Sequence, residues 1–138
     1  MDSTRLSSVL AVGDHVVIAL VLGWGYVDHH PDGLAGLLDL TGLVSAAGPF
    51  LLAFLFVALV AGTYGRARLV DRWWSLRTVA ATWFGAVGVG LVLRTSPLVG
   101  DGATWPFALV VTGTGLLALL AWRLAVDLAL VRRLDVES

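Results

Sequence analysis

The chain has no cysteine, no lysine and a single glutamate, and only 14% of its 138 residues are charged. Each scarcity excludes something. Without cysteine there is no disulfide, no thiolate nucleophile and no Cys-ligated zinc or iron–sulfur site. Without lysine there is no amine for a Schiff base, so retinal and pyridoxal are excluded as covalently held cofactors. No other cofactor is predicted. All nine basic residues are arginine, and nine of the ten acids are aspartate. Such an Asp-rich, Lys-free composition suits a halophilic archaeal source. A net charge of −1 provides no basic field for nucleic acid.

What the chain does have is apolar surface. Hydrophobic residues make up 58%, and the mean hydropathy is +0.88. Soluble domains run near 45–50% apolar and about 25% charged, and a core of this size cannot bury the excess. The excess must face lipid. Four apolar segments are evident: Leu6–Val27, Val44–Tyr64, Leu76–Leu93 and Trp105–Val126. Each is close to the ~20 residues that cross ~30 Å of hydrocarbon. Lipid offers no partner to open backbone groups, so the spans must be helical. The expected fold is all-α: one integral membrane domain over 1–138, a bundle of four antiparallel transmembrane helices. The first segment is too long for a signal peptide, is broken by Asp14, and is followed by no A-x-A-like site. It is read as a retained helix.

Arginine placement sets the expected orientation. Arg5, Arg66, Arg68, Arg72, Arg77, Arg123, Arg132 and Arg133 fall on one side, and only Arg94 on the other. Both termini are therefore expected in the cytoplasm, in a multi-pass protein of the cell membrane. In the outer loop, Pro31-Asp32-Gly33 is turn chemistry. Leu34, Leu37, Leu38 and Thr41 then recur at helical spacing, which predicts a short interfacial helix over 34–41. The tail from Arg132 to Ser138 reads as a disordered polar end.

Several short pieces occur in one order: Gly13-Asp14, Gly25-x-x-x-His29, Pro49-Phe50, Trp83-x-Gly85, GlyLeuValLeuArg at 90–94, Gly102-x-Thr104, Phe107 and Trp122-Arg123. Together they cover nearly the whole chain. By them the chain resembles the small four-helix membrane proteins of haloarchaea and actinobacteria grouped as the domain of unknown function 3054 family. Tyr26 departs from the pattern, standing where a basic residue is expected after the glycine. The resemblance implies fold and membrane location but no activity.

The candidate sites follow from polar groups in apolar surroundings. With a helix starting near Leu6, Asp14 lies about 12 Å into the membrane. A carboxylate there faces a partner or an aqueous cavity, so Asp14 is either a proton or cation relay or one half of a structural contact. His15 points about 100° away around the helix, more suited to a local hydrogen bond than to a ligand role. Side chains lean toward a helix N-terminus, which in antiparallel helices tilts Asp14 and Arg123 toward each other across very roughly 7–8 Å. An Asp14–Arg123 pair is predicted, with Asp127 as the alternative partner. Arg94, at a helix end, either snorkels or forms an anion-attracting gate beside Thr95, Ser96 and Asp101. Asp28, His29, His30 and Asp32 are weak metal candidates, better read as a solvated loop. Ala81/Gly85, Ala86/Gly90, Gly13, Gly23 and Gly25 permit close helix approach. Thr112-Gly113-Thr114-Gly115 either lines a polar path or packs. Trp24, Trp105, Trp73, Trp74 and Trp122 suit the interfacial belts. Trp83 falls deep in a span, where with Phe56 and Phe107 it either walls a ligand pocket or packs the core.

Two functions are consistent with these residues. One is a subunit of a homo-oligomeric, ion- or proton-coupled small-solute transporter or channel using Asp14. The other is a binding or accessory protein for a lipid, quinone, carotenoid or larger complex. A third, intramembrane catalysis, is disfavoured: the chain has no HExxH or GxSxG set and no acidic metal cluster.

Overall fold

The computed structural model describes residues 2–69, 71–98 and 105–137. Five α-helices occupy them: α1 Ser3–His29, α2 Leu40–Ala61, α3 Arg66–Leu69, α4 Arg72–Thr95 and α5 Trp105–Glu137, with a 3-10 helix at Gly33–Leu38 between α1 and α2. Among the described residues there is no strand. Helices α1, α2 and α4, and α5 over Pro106–Arg132, are each long and apolar enough to cross a membrane. Their outward faces agree: Leu20, Leu59, Val92 and Leu117 are all about 70% exposed. In water, apolar exposure on this scale marks an aggregation or binding surface; on four such helices it is the surface expected against hydrocarbon. The chain is a multi-pass membrane protein.

Why the helices end where they do is local. Asp39 caps α2, its carboxylate accepting from the Gly42 N–H, and Asp71 caps α4 by accepting from the Trp74 N–H. Both are the short oxygen side chains that satisfy orphan amides at a helix start. Gly62 closes α2 in the left-handed conformation, φ +62, with its N–H returned to the last turn. The helices depart from the sequence expectation in three places. Helix α2 begins at Leu40, not Val44, so the interfacial helix expected over 34–41 is instead a 3-10 turn that stops at Leu38. Helix α5 runs on to Glu137, where a disordered tail was expected. A short α3 occupies what reads in sequence as a loop.

The bundle closes as a ring. Helix α1 packs on α2 and α5, and α4 packs on the same two, most extensively on α2. The buried stripe of α1 is Leu10, Asp14, Ile18 and Leu22, and that of α5 is Val111, Gly115, Leu119 and Arg123. Both advance by four residues, one helix face. Asp14 and Arg123 thus occupy core positions in otherwise uncharged stripes. The core between them and the far end is large and closed: Ile18, Phe50, Phe54, Val79, Trp83 and Leu119 are fully buried. Glycines make room for it. A Cβ on Gly90 would strike the Phe50 ring, one on Gly115 the Trp83 indole, and one on Gly13 the Trp122 indole.

Candidate functional site

The buried polar site assembles where α1, the end of α2, α4 and α5 meet. Arg123 donates from Nε to Asp14 Oδ1 at 3.1 Å and from Nη2 to Asp14 Oδ2 at 2.6 Å. This is the two-pronged arginine–carboxylate geometry, stronger than a single contact. The two side chains are 2% and 0% exposed. Tyr64 adds a third bond, its hydroxyl donating to Asp14 Oδ2 at 2.8 Å, and its ring lies 5.7 Å from the Arg123 guanidinium carbon. The remaining arginine nitrogen, Nη1, donates to Ser75 Oγ at 2.8 Å. Ser7 Oγ donates to the Tyr64 carbonyl. Every charged oxygen and nitrogen in the pair has a partner, which is the condition under which buried charge is tolerated.

A second polar layer adjoins it. Thr82 donates to the Thr78 carbonyl at 2.8 Å. Its oxygen is then free to accept, at 2.7 Å, from Thr63. This ties the end of α2 to α4 a second time, with all three threonines buried. Beside Arg123 lies a cavity of about 30 Å³ whose walls include Ser75, Arg72 and Asp127, enough space for one water. Arg72 pairs with Asp127 at 2.6 Å. Asp127 is thus engaged by Arg72, while Arg123 turns to Asp14.

The other candidates separate from this site. His15 donates from Nδ1 to the Ala11 carbonyl at 2.7 Å and sets its ring edge against Phe54; its Nε2 and the Trp122 Nε1 are buried with no hydrogen-bond partner. Trp122 therefore packs against Gly13 and is not a belt residue, whereas Trp24, Trp73 and Trp74 are well exposed. The side chain of Trp105 lies outside those described. Trp83 donates from Nε1 to the Thr112 carbonyl at 3.0 Å and meets Phe54, ring centroids 6.4 Å apart. Phe56 does not join it: Phe56 is 61% exposed, two residues and so about 200° around the helix from Phe54. Phe107 pairs instead with Phe50 and with the Arg94 guanidinium, 4.5 Å above its ring. Arg94 also reaches the Ala46 carbonyl. Asp101 and Gly102-x-Thr104 lie outside the described residues. The Thr112 and Thr114 hydroxyls turn back to their own helix, at the Ala108 and Val110 carbonyls, and open no polar path.

Where α1 passes into α2, Tyr26 donates to Asp39 Oδ2 at 2.7 Å, His29 donates to the Gly25 carbonyl, and His30 Nδ1 accepts from the Asp32 N–H at 3.2 Å. Asp28 lies 3.8 Å from His29. Among the described residues no three acids and histidines converge as a metal cluster. Tyr26 bonding to Asp39 shows what a tyrosine does where a base was expected: it latches the end of α1 to the cap of α2. A last feature is apolar. Between α1, the 3-10 helix and α2 runs a lateral groove of about 510 Å³, walled by residues such as Ala19, Gly23, Trp24, Leu37 and Gly48.

Sequence reasoning did not reach Tyr64, Ser75 or the three threonines. Tyr64 sits one residue before the glycine that precedes the arginine-rich turn, and reads as an ordinary span end. A family model described as Protein of unknown function (DUF3054) matches residues 11–126, a stretch that holds Asp14, Tyr64, Ser75 and Arg123. No curated protein and no solved structure matches the chain.

Proposed function

The chain belongs to the DUF3054 family, and we propose that it is a non-catalytic binding protein of the membrane, in which Asp14 and Arg123 clamp the scaffold and an apolar ligand is held on the lipid-facing side. One observation carries this: the intramembrane acid has no free oxygen. Arg123 takes both oxygens and Tyr64 shares one. A proton carrier must lose and regain its proton in each cycle. Here any exchange at the carboxylate would require Asp14 to leave Arg123, which holds both of its oxygens, and separating a buried pair leaves one charge uncompensated. Beyond Asp14 and the threonine layer the interior is filled by Phe50, Phe54, Trp83 and Leu119, whose one polar atom, Trp83 Nε1, is bonded to the Thr112 carbonyl.

The second reading, an ion- or proton-coupled subunit of an oligomer, draws on the cavity beside Arg123, through which water could reach the pair from one end. Reconstitution separates the two. Under an imposed pH gradient, liposomes holding the native chain and those holding Asp14→Asn are expected to leak protons no faster than empty liposomes. A leak that requires Asp14 contradicts the binding role.

A further inference from the structure

We infer that the groove between α1 and α2 holds one hydrocarbon tail of a bilayer lipid, which gives the proposed binding role its ligand and rests on that role. The groove lies on two helices long and apolar enough to span a membrane and runs from Ala19 and Leu51 toward Trp24 and the 3-10 helix, so its deeper part meets hydrocarbon. Its volume, about 510 Å³, is in the range of ligand sites, and every lining residue is aliphatic, glycine or Trp24. A lipid tail satisfies such walls; a polar ligand would be left without partners.

The glycines say that the space is not a by-product of packing. Gly13, Gly90 and Gly115 are each pressed by an aromatic ring of this chain. Gly23 and Gly48, which line the groove, are not: a Cβ on Gly23 would meet nothing, and one on Gly48 only Val44 Cγ1 at 3.8 Å. No contact within the chain requires glycine there. What the two glycines do is keep the groove deep.

The shape selects a flexible chain over a second copy. Leu34 and Leu37 of the 3-10 helix form part of the wall at one end. A spanning helix is about 10–12 Å across and straight over ~30 Å, and would collide with that element. A lipid tail can end beneath it. Leu34 and Trp24 are both about 70% exposed, leaving the side of the groove open to exchange with the bilayer.

The test is native mass spectrometry of the full chain released from nanodiscs of dioleoyl phosphatidylcholine. The native chain is expected to retain one phospholipid per chain through detergent washing. Gly48→Leu and Gly23→Leu add their side chains at the groove wall, where a Cβ meets nothing at Gly23 and only Val44 Cγ1, at van der Waals distance, at Gly48, and are expected to fold while retention falls about tenfold, the weight of roughly two buried methylenes. Gly25→Leu, also in open space but outside the groove, should retain lipid as the native chain does. Unchanged retention in both plugged variants overturns the inference, and so does a lipid-free dimer that either plug splits. If one plugged variant fails to fold, the other decides. None of these outcomes depends on proton leak, so loss of the lipid tail leaves the binding role standing, whereas an Asp14-dependent leak removes it.

Discussion

At the scale of single residues, the protein is organised around one exchange: a carboxylate and a guanidinium replace two apolar side chains in adjoining core stripes. Burying a pair contributes little against an apolar pair of the same volume, but breaking it leaves a bare charge. Asp14→Leu or Arg123→Met alone is therefore expected to destabilise the fold by about 3–5 kcal/mol, and Tyr64→Phe by about 1.5–3 kcal/mol, the weight of a bond to a charged group. Combining Asp14→Leu with Arg123→Met should recover most of the loss. Reversible unfolding in mixed micelles, arranged as a double-mutant cycle, checks all three. Equal, additive losses would mean that the two charges do not act as a pair. The pairing is legible in the sequence, because both residues interrupt apolar helices at complementary tilt. Tyr64 and Ser75 are not, because each sits near a helix end, where a polar residue is unremarkable until the fold brings it to a charge.

At the scale of the elements, fit between glycine and aromatic ring sets the helix spacing. Phe50 on Gly90, Trp83 on Gly115 and Trp122 on Gly13 are each one-sided contacts in which a methyl has nowhere to go. Gly90→Ala, Gly115→Ala and Gly13→Ala are expected to cost about 1–3 kcal/mol. Gly88→Ala, in open space, is expected to stabilise its helix by as much as about 1 kcal/mol. Thermal unfolding of the four variants side by side tests the contrast. The latch at the other end responds to pH. The Tyr26 hydroxyl, then the Gly42 N–H and His30, hold the exposed Asp39 carboxyl below the ordinary carboxylate range. A carboxyl lowered in the folded state contributes stability above its unfolded value, about 3.9, and loses it as pH falls toward the folded value. The native chain should thus lose stability below about pH 4, and Tyr26→Phe should lose less over that interval. An identical acid limb in both would remove the latch. Sequence spacing shows that α1 and α2 are helices, but it does not show that Asp39 starts α2 four residues early, because the apolar run alone carries no record of its cap.

At the scale of the whole molecule, the four spans are plain from composition and length, while their ring order and the lateral groove are not, since both depend on which glycines are filled by neighbours. The arginine distribution predicts that both termini face the cytoplasm. The absence of cysteine makes this simple to test. Thr4→Cys should react with an impermeant maleimide only after the cells are opened, and Leu34→Cys should react from outside. The reverse pattern would invert the molecule. The claim that joins all scales is that the buried pair supports the fold and the groove does the work. It is tested most directly by counting lipid on the Asp14→Leu/Arg123→Met double variant, by native mass spectrometry from the same nanodiscs as the native chain. One retained phospholipid per folded chain is the predicted result. A folded double variant that retains none would contradict it, and would place the charges in the function itself.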